Sequence, residues 1–215
     1  MGVDPLFPPM EYLDDKGNLV GFDIDLGERM GSELGIEATF IKLPFDKLFD
    51  ALDQRKIDFI LSSVVISEER KRMYNFSEPY LTVDQVFITT KDNTSINSDA
   101  GLRGKKIGVR KGSMGSHAAF QYALYESVIS YTNFADGISA LMAGVIDALI
   151  MDLPVAKFIV YRNPDVKITG DPFAPESYGL VFRRGEPDLV EKFNALLHVL
   201  GQKGFMAGIK QKWLQ

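Results

Sequence analysis

Apolar and polar positions along this chain switch between two periods. A four-residue spacing places Leu26, Met30 and Leu34 on one side of residues 22–35. It predicts a helix with Asp23 or Asp25 as N-cap and Gly35 as its stop. The segment IEATFIK, from Ile36, alternates at period two and reads as a strand. Phe45, Leu48, Phe49 and Leu52 then recur at helical spacing, giving a second helix with one apolar stripe. The run IDFIL at residues 57–61 reads as a buried strand.

Beyond Arg70, a polar passage marked by proline leads to an extended run at residues 85–91. Residues 92–104, rich in Asn, Ser and Gly, form a loop. A second alternating series follows. KKIGV is a strand, RKGSMGSHAAFQYALYES passes from a glycine-rich turn into a helix, and ISALMAG is a short helix with Ile138, Leu141 and Met142 on one side. IDALIMD is a strand, and PVAKFIVYRN a helix opened by proline. YGLVFRR reads as a strand, and PDLVEKFNALLHVLGQ and KGFMAGIKQKWL as closing helices. QRKIDFILSS and AGVIDALIMD share a small turn, an Ile-Asp pair and an apolar strand with a polar end. This repetition predicts an α/β protein of two lobes joined by extended crossings, each lobe a mixed, mostly parallel sheet flanked by helices. Ligands of open α/β sheets sit beyond the carboxyl ends of strands.

Composition narrows the function classes. The chain has 215 residues, 46% hydrophobic and 25% charged, as in ordinary globular proteins. Its net charge of -5 is scattered, without the clustered basic face that nucleic acid requires. No apolar run approaches the roughly 18 residues of a membrane span. There is no cysteine, and the two histidines, His117 and His198, lie far apart, so neither a metal site nor a cofactor is expected. The stretch MGVD lacks the charged and apolar regions of a signal peptide, and a mature start is expected.

Four strand ends could carry chemistry. In VDPLFPPMEY, Asp4 and Phe7 follow a very short strand and precede two stiffening prolines. Phe45 opens a helix, as core residue or as ligand shelf. In SSVVISEER, Ser62 and Ser63 end the apolar run, Ser67 reads as an N-cap, and Arg70 follows. Its guanidinium matches a carboxylate in two parallel bonds; the alternative is a solvated pair with Glu68 or Glu69, worth about 0–1 kcal/mol. In KGSMGS, Gly112, Ser113, Met114 and Gly115 make a turn that can offer N–H groups to an anion, though the Gly-Lys-Ser/Thr ending of a P-loop is missing. Asp152 ends an apolar strand just before Pro154 and either caps the next helix or binds a cation. An arginine in one lobe and an aspartate in the other suit a small zwitterion.

The stretches GNLVGFDIDLGERMGSELG, KIDFILSSVVISEERKRMYNFSEPYL, LRGKKIGVRKGSMG, GVIDALIMDLPVA, PESYGLVFRRGEPDL and IKQKWL resemble, in order and over nearly the whole chain, the polar amino-acid-binding proteins of bacterial ABC uptake systems. These are family 3 solute-binding proteins with the type II periplasmic-binding fold. The resemblance implies a two-lobed clamshell with hinge strands near Thr89 and Gly179, residues 1–89 with 180–215 forming one lobe and 90–179 the other. It implies that Arg70 clamps the ligand carboxylate and Asp152 takes its ammonium. Ser62, Ser63 and the Ser113–Met114 turn would complete the ring, and Phe7, Phe45 and Asp4 would face the ligand side chain. Two positions depart from the family pattern: Val65 replaces a serine or threonine, and Phe7 a tyrosine. A lost charge-assisted bond weakens binding by roughly 1.5–3 kcal/mol, while the backbone N–H of Val65 still serves. The implied protein is a non-enzymatic, monomeric receptor, periplasmic or extracellular, that delivers an amino acid to a membrane-bound ABC permease. A sensing domain of a membrane receptor or kinase is one alternative; a cyclohexadienyl dehydratase-like enzyme with Glu176 as its acid is another.

Overall fold

Residues 57–61 run through the middle of the first of two compact units, Met1–Thr82 with Ser177–Gln215; the second is Val83–Glu176. The computed structural model describes residues 1–97, 99–113, 115, 116, 119 and 125–214. The predicted helix after the KGSMGS turn, Met114 and His117 therefore lie outside the described residues.

In the first unit, β1 (Gly2–Val3) pairs in parallel with β5 (Ile41–Lys42). The run 57–61 is extended, with Ile60 bridged to Gly2 on one side and Val181 on the other. Burial of Leu48, Leu52, Ile57, Ile60 and Val64 in one cluster holds it there. Only Ile41 and Lys42 of the predicted strand 36–42 form a ladder, because β1 offers two residues to pair with. β6 (Tyr74–Phe76) pairs antiparallel with β12 (Val181–Arg183). A small antiparallel sheet, β2 (Leu6–Phe7), β3 (Glu11–Leu13) and β4 (Leu19–Val20), lies in a passage where no full strand was expected. Its strands are too short to show a period.

Helix α1 spans Phe22–Leu34, ends at the left-handed Gly35 as predicted, and corrects one expectation at its start. Its N-cap is Gly21, with no side-chain cap. Gly21 has φ 141°, and a Cβ there would stand 2.1 Å from the Met10 carbonyl oxygen. The close approach lets the carbonyls of Pro9 and Met10 accept from the N–H groups of Phe22 and Asp23. Neither Asp23 nor Asp25 is needed as a cap. Asp25 instead accepts from Lys212 and Trp213, at 2.7 Å each, tying α1 to the last helix. α2 (Phe45–Asp53), the short α3 (Glu68–Lys71), α6 (Pro187–Gln202) and α7 (Phe205–Leu214) complete the unit.

Two long strands carry the chain between units: β7 (Leu81–Thr90) outward and β11 (Val166–Tyr178) back. They are neighbours at one side of a five-stranded sheet ordered β11, β7, β10 (Ala148–Asp152), β8 (Lys106–Arg110), β9 (Ser127–Tyr131). β8 runs parallel to both β10 and β9, whereas β10 and β7 are antiparallel. Prolines 172 and 175 fit β11 because it is the edge strand. α4 (Phe134–Met142) and α5 (Leu153–Arg162) are the helices predicted at those places.

Candidate functional site

Arg70 is oriented by its own neighbourhood. Ser67 caps α3, its hydroxyl accepting from the Arg70 N–H at 3.2 Å. The side chain then turns back, and its Nη1 donates to the Val65 carbonyl at 3.0 Å. The guanidinium carbon stands 5.8 Å from the ring centres of both Phe45 and Phe49, within cation–π range. Phe45 thus opens α2 and forms a shelf under the arginine with Phe49, a residue read from sequence only as core. Glu68 pairs with Lys71 at 2.9 Å.

The end of the run at residues 62–63 is built from buried polar groups. The Ser62 hydroxyl accepts from the Asp4 N–H at 2.9 Å and donates to Glu11 at 2.7 Å. Ser63 has φ 48°, a left-handed conformation that costs a non-glycine residue on the order of 1 kcal/mol or more. Its N–H and hydroxyl both donate to Oδ2 of Asp23, at 2.7 and 3.1 Å, and the Tyr80 hydroxyl donates to the same oxygen at 3.0 Å. Asp4, Phe7, Glu11, Asp23, Ser62, Ser63 and Val65 are all buried. Burial pushes the Asp23 carboxyl up to about 6 against the pull of its donors, Tyr80 first. The Tyr80 phenol is likewise raised by burial and by the Asp23 charge.

In the second unit the sheet register does the positioning. Asp152, last residue of β10, pairs directly with Gln85 of β7. Gln85 Nε2 donates to Asp152 at 2.7 Å and lies 3.5 Å from the Glu176 carboxylate on β11. An amide thus stands between two buried carboxylates on three adjacent strands. Asp152 occupies the N-cap position of α5 without a side-chain cap bond, so the capping alternative is set aside. At the Ser113 turn, the hydroxyl and N–H both donate to the Arg110 carbonyl, at 2.8 and 3.1 Å. Arg110 itself is buried at the end of β8, 6.0 Å from the Phe134 ring. The sequence reading passed over Arg110, Gln85, Glu11 and Tyr80. For Gln85 and Arg110, the signal was a polar residue inside or at the end of an apolar strand.

Residues 1–215 match the bacterial extracellular solute-binding proteins, family 3. The chain belongs to that family. Its sequence is 31% identical over 230 residues to the L-arginine-binding protein of Pseudomonas aeruginosa, covering 99% of this chain and 86% of the relative. It is 28% identical over 215 residues to the L-cystine-binding protein of Escherichia coli K12, covering 99% and 81%. Among solved structures, an ancestral arginine-binding protein bound to arginine superposes with a TM-score of 0.91 at 36% identity, covering 100% of this chain and 96% of that one. The fold is the type II periplasmic-binding fold of these family members. No helix among the described residues is long and apolar enough to cross a membrane.

Proposed function

We propose that this chain is an extracytoplasmic receptor that captures an amino acid with a cationic side chain and hands it to an ABC permease. The observation that carries the amino-acid part is Arg70, whose guanidinium is held by the Val65 carbonyl above the Phe45 and Phe49 rings. A fork fixed in this way suits a planar carboxylate. Asp152, oriented by Gln85, supplies the counter-charge for the ligand ammonium. Ser62, Ser63, Val65 and Ser113 fill in around these two ends. The cationic preference rests on Asp4, a buried carboxylate on the segment that also carries Phe7, and on the arginine-binding relatives. The chain acts alone as a monomer and turns nothing over. Glu176, the candidate acid, is read instead as part of the Gln85 row.

Calorimetric titration with the twenty amino acids tests this. Arginine or lysine is expected to bind most tightly, with Asp4→Asn narrowing the gap between arginine and glutamine by roughly tenfold. A chain that binds none of the twenty overturns the proposal.

A further inference from the structure

Asp23 lies in a helix start that the family motif contains, yet the proposed ligand contacts leave it unused. It is fully buried, and one of its oxygens gathers three donors, two of them from Ser63. Ser63 is also the residue of the binding strand end with a left-handed backbone. Such a conformation persists only where the surroundings over-determine it. Here the determinant is one carboxylate oxygen receiving both the N–H and the hydroxyl of that residue.

We propose that Asp23 is a positioning residue for amino-acid binding, its ionised carboxylate holding Ser63 in the conformation the ligand meets, so that protonating it weakens capture. The inference rests on the reading of the 62–63 end as a ligand contact. A neutral carboxyl accepts more weakly and must find an acceptor for its own proton. The groups facing Asp23 set where this happens. From β3 comes Glu11, whose side chain bonds Asp23 itself and also Ser62, through which it reaches the Asp4 N–H. The segment leading into β7 contributes the Tyr80 hydroxyl. From α7, Lys212 is engaged by Asp25, two residues on and round the far side of α1, and β4 (Leu19–Val20) brings no charge. No cation is therefore among the groups that the bonds and charges at Asp23 involve, and burial moves its titration to about 6, inside a mildly acidic range.

Two measurements on the full chain decide the matter. In ligand-free protein, the Ser63 amide resonance is expected to titrate with a midpoint near that of Asp23, to stop doing so in Asp23→Asn, and to keep doing so in Glu11→Gln. In calorimetry with arginine, affinity is expected to fall roughly tenfold from pH 7.5 to 5. The step should vanish in Asp23→Asn and move to higher pH in Tyr80→Phe, which removes a donor to the charged form. A Ser63 resonance indifferent to pH, or an Asp23→Asn profile retaining the wild-type step, overturns the inference even if arginine binds well. Failure of every amino acid to bind at any pH overturns the proposed function instead, and the resonance titration still reports on Asp23 and Ser63.

Discussion

The two strand ends that carry the candidate contacts are held by different means. In the first unit, the end at residues 62–63 is fixed by carboxylates brought in from elsewhere: Glu11 from β3 and Asp23 from α1. Its backbone is strained at Ser63, and one anchor is a buried acid pushed up to about 6. In the second unit, Asp152 is held by its direct cross-strand neighbour Gln85, a neutral amide. Position there follows from the register of a five-stranded sheet. The first end is held by ionisable groups and the second by a neutral amide. Ladder geometry thus fixes one strand end, and ionisable side chains from distant elements fix the other.

The largest expected effect removes a charged contact outright. Arg70→Ala and Asp152→Ala are each expected to weaken amino-acid binding by about thirtyfold to several thousandfold, or 2–5 kcal/mol, with cooperative melting retained. Equal, near-wild-type affinity of either variant in calorimetry would detach that unit's strand end from binding. Next comes stability against pH. The folded-state titration of Asp23 lies above its ordinary value of 3.8. Its contribution is therefore fully present below about pH 3.8 and is lost as pH rises through about 6, a swing on the order of 2–3 kcal/mol. Across pH 4 to 7, thermal melts should show Asp23→Asn gaining on the wild type. The smallest effect sharpens the second side. Gln85→Leu removes one donor from the Asp152 carboxylate and should weaken an amino acid roughly tenfold, while an analogue lacking the ammonium loses little.

How much of this could be read from sequence depends on whether the cause was local. Arg70 was legible because its cap Ser67 and its shelf residue Phe45 belong to recognisable helix starts. Asp152 was legible as a charge at the end of an apolar run, but the absence of a side-chain cap bond to α5 and the Gln85 amide opposite it follow from the sheet register, which the sequence does not show. Asp23 was misread as a cap because a carboxylate at a helix start ordinarily is one. The carbonyls of Pro9 and Met10 that replaced it are supplied by a loop whose path depends on Gly21. β11 was hidden by Gly170, Pro172 and Pro175, breakers that an edge strand tolerates. Its length matters, because Glu176 takes its place in the row through it.

The chain leaves the first unit after Thr82 and re-enters at Ser177, and the hydroxyls of those two residues stand 2.9 Å apart. The second unit is thus an insertion whose ends meet. During synthesis its last residue, Glu176, emerges from the ribosome before β12 does. Until then Ile60 lacks the Val181 carbonyl and N–H that bracket it, and β6 lacks its antiparallel partner. The inner unit, though encoded later than most of the outer one, therefore has all its strands a few residues before the outer one does, and Ile60 and β6 wait for β12 to emerge.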